Sequence, residues 1–173
     1  MLWSKRSRLS LVIAVLCLVL AGCGFKPLHG RGAQAVSGAD LDTVQIPVLR
    51  DREGHLLTNF LSQGFNPDGR RTVTNYYLDI SLVTSKQDLG VRRDATATRV
   101  NRIYTANLVL REAVTNKHVF KGRSVITVSY NILGARFATI AAEQDAIRRG
   151  TKALAENIRI RIAAFLAGRK KKS

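Results

Sequence analysis

From Thr72 to Thr84 apolar and polar positions alternate with a period of two. Tyr76, Leu78, Ile80 and Leu82 fall on one side, and Tyr77, Asp79 and Ser81 on the other. The pattern returns from Thr96 to Ala113, where Tyr104, Ala106, Leu108 and Leu110 oppose Thr105, Asn107 and Arg111. It returns again from His118 to Tyr130, with Phe120, Ile126, Val128 and Tyr130 opposite Lys121, Arg123, Thr127 and Ser129. These runs predict a three-stranded antiparallel meander with one face buried and one wet. The bends are expected at Lys86-Gln87-Asp88-Leu89-Gly90 and at Thr115-Asn116-Lys117. At about 3.3 Å per residue, the last two strands would extend about 40 Å and make an elongated sheet.

The buried face needs a cover. Ile140, Ile147, Leu154, Ile158, Ile162 and Phe165 recur at helical spacing along an Ala-rich segment, so a long helix should pack on the sheet and stop near Gly168. Gly150 interrupts it, at a cost of up to about 1 kcal/mol relative to Ala. Upstream, Thr43 to Leu49 is alternating and β-branched, with Pro47 arguing for an edge strand. Arg50-Asp51-Arg52-Glu53-Gly54 reads as a turn. Leu56, Leu57, Phe60 and Leu61 then form a short helix closed by Gly64, and Asn66-Pro67-Asp68-Gly69 turns the chain. The expected fold is α+β, one domain over residues 43–168. It comprises a mixed or antiparallel sheet of about four strands covered by two helices, in the order strand, helix, three strands, helix.

What precedes that domain changes the picture. Lys5, Arg6 and Arg8 stand before an apolar run from Leu9 to Leu20, and Leu20-Ala21-Gly22-Cys23 ends it with small residues. Positive, apolar, small is the order of a secretory signal over residues 1–22. The run is shorter than the roughly 18 to 20 residues that cross a bilayer, which disfavours a permanent span. The site resembles the lipobox of bacterial lipoproteins, in which the sulfur of the residue matching Cys23 takes a diacylglycerol and the new amino terminus is acylated. An ordinary cleaved signal with a cysteine at its mature end is the alternative. Several acyl chains, at about 0.8 kcal/mol per buried CH₂, would hold the protein on a membrane. Gly24 follows, where that family's inner-membrane proteins carry Asp, so the resemblance points to the outer membrane. Residues 23–42, rich in Gly and Ala, read as a tether, and 169–173 as a basic tail.

The chain has 28 Lys+Arg against 12 Asp+Glu, a formal net charge of +16, and only three of those cations leave with the signal. Such an excess calls for an anionic partner. In the cytosol that would be nucleic acid. Behind an export signal it would be lipopolysaccharide phosphate, acidic phospholipid or an acidic protein. With Cys17 in the signal and Cys23 committed to lipid, neither a disulfide nor a cysteine metal site remains, and no cofactor is implied. His29, His55 and His118 share no spacing, and no nucleophile with a base stands out, so an enzyme is not expected.

Arg92, Arg93, Arg99 and Arg102 crowd the opening of the second long strand. By parity, Arg99, Lys121 and Arg123 point to the wet face, where they would form a basic stripe suited to phosphate. A solvated face with guarding cations at strand ends reads the same residues differently.

Leu-Ala-Gly-Cys-Gly-Phe-Lys-Pro-Leu from Leu20 to Leu28, Lys86-Gln87-Asp88-Leu89-Gly90-Val91-Arg92-Arg93, Ser129-Tyr130-Asn131, Phe137-Ala138 and Glu143-Gln144-Asp145-Ala146 resemble the LptE family of lipopolysaccharide-assembly lipoproteins. The resemblance implies a lipid-anchored outer-membrane protein facing the periplasm, which plugs and helps assemble the LptD β-barrel and binds lipopolysaccharide. It extends a role in lipopolysaccharide contact to Arg92 and Arg93 alone. Arg99, Lys121 and Arg123 rest on strand parity. A lipid-anchored adaptor docking on another acidic or barrel partner is the competing reading.

Overall fold

The computed structural model describes residues 41–69, 73–91 and 97–170. The expected signal, Cys23, the expected tether up to residue 40, Arg92, Arg93 and residues 171–173 lie outside them. A 3-10 turn, Leu41–Thr43, leads into strand β1, Val44–Gln45, and helix α1 follows over Arg52–Phe65. Strands β2, β3 and β4 cover Tyr76–Val91, Ala97–Glu112 and His118–Asn131, and helix α2 runs from Arg136 to Lys170. The sheet order is β1-β2-β3-β4. Strand β1 lies parallel to β2, and the remaining pairs are antiparallel. This is the expected α+β arrangement of a mixed four-stranded sheet and two helices.

The period-two reading places every named core residue of the meander on the correct side. Leu78, Tyr104, Leu108 and Leu110 are fully buried, while Asp79, Asn107, Lys121 and Arg123 face solvent. Three local expectations are corrected. The strand expected at Thr43–Leu49 pairs only at Val44 and Gln45, because Pro47 has no N–H for the ladder; β1 does take the edge. Lys86 to Gly90 is not a bend: β2 continues to Val91, pairing Lys86 with Arg102 and Leu89 with Arg99. Gly90, at φ 67°, takes up the left-handed conformation inside the ladder, and Thr98 Oγ1 donates to its carbonyl at 2.7 Å. Residues 50–54 are not a free turn either, since the Asp51 carboxylate caps the first turn of α1 by accepting from Gly54 N. At its other end α1 runs past Gly64 to bury Phe65.

Helix α2 spans 35 residues, about 52 Å at 1.5 Å per residue. Leu154, Ile158 and Ile162 are fully buried against Leu57, Leu61 and Phe65 of α1 and the apolar face of the sheet. The ring of Phe165 meets that of Phe120 on β4, with centroids 5.2 Å apart. Ser124 on β4 donates to Asn157 Oδ1 at 2.7 Å, a polar tie within the same interface. The expected apolar stripe therefore packs from Ile147 onward, whereas Ile140 at its start is exposed. Past Gly168 the helix continues, and Arg169 donates to Glu112 Oε1 at 3.0 Å beyond the expected stop.

Gly150 explains its own presence. A Cβ there would stand 2.5 Å from Tyr104 Cε2 and 3.0 Å from Val128 Cγ2. The helix thus comes down on the sheet where it has no side chain. Gly150→Ala should destabilise the fold by about 1–3 kcal/mol through overpacking, against the sign of helix propensity. Gly168→Ala, with nothing within 4 Å of the new carbon, should be neutral or stabilising by up to about 1 kcal/mol. Urea unfolding of the two variants checks both signs.

Candidate functional site

Strand register decides which cations can act together. Lys121 and Arg123 stand two residues apart on the wet side of β4, roughly 7 Å along the strand. Arg123 pairs with Asn107, while Arg99 lies eight residues back along β3, roughly 26 Å away. The single stripe expected from parity is therefore two separate places. Among the described residues, no carboxylate pairs with Arg99, Lys121 or Arg123. By contrast, the neighbouring Arg111 is committed to Asp79 through Nε at 2.6 Å and Nη2 at 3.1 Å.

Arg102 turns the other way, because its even number puts it in phase with Tyr104 and Ala106. It is 8% exposed. Its guanidinium is bonded to Glu53 at the start of α1, and its Nη1 donates to Glu143 Oε1 on α2 at 3.1 Å. Lys86, its neighbour on β2, donates to the same Glu143 oxygen at 2.6 Å. Burial works against the Arg102 charge, but the hydrogen bond and charge of Glu53 more than offset it. The hydrogen bond from Lys86, aided by the nearby charges, holds the Glu143 carboxyl below the usual carboxylate range although burial opposes this. Burial first, then the Glu53 charge, pushes the Tyr104 hydroxyl up to about 12, so it is neutral. Four elements meet at this cluster. Glu143 is half-buried and bonded to two cations.

Just beyond the cluster, where β4 ends and α2 begins, the chain builds a groove. Ile132 N donates to Thr98 O at 3.0 Å and ties the connection to the start of β3. The Thr139 hydroxyl accepts from Leu133 N at 2.9 Å and donates to Leu133 O at 3.0 Å, fixing the first turn of α2. The groove holds about 430 Å³ and is lined by Arg99, Ser129, Tyr130, Asn131, Leu133, Ala142, Asp145 and Arg149. Arg149 is braced by Asp145 at 2.6 Å. Of its lining residues Leu133 is apolar and 47% exposed, and Ile132 next to it in the chain is exposed as well. Arg99, with no carboxylate partner among the described residues, thus shares the groove with the apolar Leu133 and Ala142, a donor for phosphate beside aliphatic surface.

Of the cations expected from sequence to contact phosphate, Arg99 alone among the described residues lines this groove. Lys121 and Arg123 form their own pair, and Arg92, Arg93 and Cys23 fall outside the described residues. Arg149 and the apolar lining escaped notice because helix and sheet residues meet here only once the chain folds. Among the described residues, no helix is long and apolar enough to cross a membrane, and no three His, Cys, Asp or Glu gather as metal ligands.

Comparison with known proteins bears on this geometry. The profile of the family LptE, described as lipopolysaccharide-assembly, matches residues 41–162. No curated protein matches the chain in sequence. A solved structure from Caulobacter crescentus, provisionally described as a lipoprotein, is 27% identical with a TM-score of 0.62, covering 78% of this chain and 96% of its own. The rare lipoprotein B of Shewanella oneidensis shares the fold at 11% identity and a TM-score of 0.58, over 73% of this chain and 96% of its own. A lipoprotein B of Nitrosomonas europaea does so at 16% and 0.57, over 72% and 82%.

Removing the buried cation should strand Glu53 and leave Glu143 to Lys86 alone. Arg102→Gln is expected to cost about 3 kcal/mol in urea unfolding. The contribution of Glu143 should depend on pH in one direction. Because its folded pKa is depressed, its stabilisation is present above its unfolded-state value of about 4.3 and is lost as pH falls through the folded value. The stability gap between the wild type and Glu143→Gln should therefore be full at neutral pH and close under acid.

Proposed function

This chain belongs to the LptE lipopolysaccharide-assembly family, and we propose that it is a lipid-anchored outer-membrane protein that binds lipopolysaccharide and serves as plug and assembly partner of an LptD-type β-barrel. The observation that carries the binding half is Arg99, which pairs with no carboxylate among the described residues, in a groove that also holds the apolar Leu133 and Ala142. Lipopolysaccharide offers phosphates and acyl chains side by side, and the groove offers a planar donor fork and apolar surface side by side. Arg149 stands across the groove, braced by Asp145. Arg92 and Arg93 precede Arg99 by a few residues and are assigned to the same phosphate contact. Lys121 and Arg123 form a second basic place on the wet face.

The anchor half rests on the sequence before the fold. Cleavage ahead of Cys23 would leave that cysteine to carry diacylglycerol and its amino group an acyl chain, holding the chain on the periplasmic side of the outer membrane. The Caulobacter crescentus relative, described as a lipoprotein, supports this reading. The role is assembly and binding, with no reaction assigned to any side chain.

The test is lipopolysaccharide binding by the purified chain at two salt concentrations. Arg99→Glu should weaken binding about tenfold or more, as loss of a charge-assisted bond does, and should flatten the salt dependence. Leu133→Ser, at an apolar residue of the groove, should weaken it while leaving the salt dependence in place. Unchanged binding in both variants would remove the groove from the reading.

A further inference from the structure

Helix α2 holds the sheet in two unlike ways along its length. From Leu154 onward it enters the main core, with Leu154, Ile158 and Ile162 fully buried. Before Ala146 none of its residues is buried, and Ala142 and Ala146 meet a small separate cluster with Val100, Val128 and Tyr130. There Glu143 adds an ionic hold by accepting from Lys86 and Arg102. Between the two parts stand Gly150 and Thr151. Gly150 is a poor helix former seated directly over Tyr104 and Val128. Thr151 is fully buried, and its hydroxyl donates back to Ile147 O at 2.8 Å and to Arg148 O at 3.2 Å. A hydroxyl that competes for carbonyls one turn back weakens a helix and lets it bend there.

We infer that residues 136–149 form an arm that swings about Gly150 and Thr151 and gates the groove, with Glu143 as its latch. The inference rests on the groove reading above and adds how that site admits its ligand. The arm supplies Ala142, Asp145 and Arg149 to one wall, and the sheet supplies Arg99, Ser129, Tyr130 and Asn131 to the other, so the swing sets the width between them. About 430 Å³ suits a drug-sized molecule. A phosphorylated head with several acyl chains needs more. The latch is built to yield. Lys86 is half-exposed, and Glu53 Oε2, Arg102 Nε and the Tyr104 hydroxyl are buried with no hydrogen-bond partner among the described residues. A polar network satisfied only in part holds less firmly than a complete one. Arg102 keeps Glu53 when Glu143 leaves, so no buried cation is stranded. With Phe137 and Ile140 exposed, the arm belongs to the low-stability end of the fold, from which moving elements are drawn.

The test is amide hydrogen exchange and the rate of lipopolysaccharide association on the purified chain, with two variants of opposite expected sign. Glu143→Gln, which releases the latch, should speed exchange over residues 138–147 about tenfold or more and leave residues 154–162 unchanged. It should also speed lipopolysaccharide association about threefold or more, as opening a gate does. Thr151→Val keeps the shape and removes the competing hydroxyl, and should slow both processes about threefold. A Glu143 with a merely structural role would instead loosen the whole helix and bring no gain in association rate. Exchange that rises uniformly along α2, or association no faster in Glu143→Gln, would overturn the inference, while weakened binding in Arg99→Glu would keep the groove reading standing. If Arg99→Glu and Leu133→Ser bind as the wild type does, the groove reading falls and the gate falls with it. Should Glu143→Gln fail to fold, Lys86→Gln, at the exposed end of the latch, carries the same expected directions and the same refutations.

Discussion

A guanidinium carried under two helices must be neutralised where it lies, and the geometry around Arg102 follows from that requirement. Its partners come from α1 and α2, and Lys86 on β2 completes the cluster. An apolar set of similar volume would hold the elements together at least as well. What the ion pairs add is register: Glu53 and Glu143 can satisfy one buried cation only if the start of α1 and the early turns of α2 stand at the same level of the sheet. A few residues further along α2, Gly150 lets the helix settle onto Tyr104. Position along the helix and approach to the sheet are thus set within two turns of each other.

That placement divides the molecule by task. Below the cluster, toward Leu154, Ile158 and Ile162, the helices close a continuous core. Above it, α2 begins with exposed Phe137 and Ile140, and the groove opens between helix and sheet. The wet face is divided in turn by strand register. Charge gathers in the rows of Lys121 and Arg123 and again at Arg99, with neutral rows between.

Much of this was legible in the residues. Alternation assigned both faces of the meander, and heptad-like spacing assigned the packed part of α2, because burial leaves a periodic trace whatever the partner strand is. Register leaves no such trace, so Arg99 could not be separated from Arg123 in advance. The extra length of β2 was hidden by Lys86, Asp88 and Gly90, polar and flexible residues that resemble a bend yet suit a strand end wet on one side. Arg102 did leave a mark: it shares parity with Tyr104 and Leu108, a cation on the apolar side. Glu143 likewise falls between Ile140 and Ile147, one turn before α2 begins to pack on the sheet. Each looked ordinary alone, and together they pointed to a buried pair.

The order of elements along the chain sets a constraint on how the fold is reached. Every fully buried apolar residue that α2 contributes among the largest, Leu154, Ile158 and Ile162, lies in the final segment of the sequence. A chain that emerges amino end first can complete the local β2-β3-β4 hairpins early, since each joins neighbouring segments. It then waits, with Leu78, Tyr104, Leu108 and Leu110 open to water, until the last helix arrives. During that interval the sheet is at its most vulnerable to mispairing. Folding of this protein therefore waits on its last helix, and loss of the segment from Ile147 onward would leave an uncovered sheet rather than a slightly smaller protein.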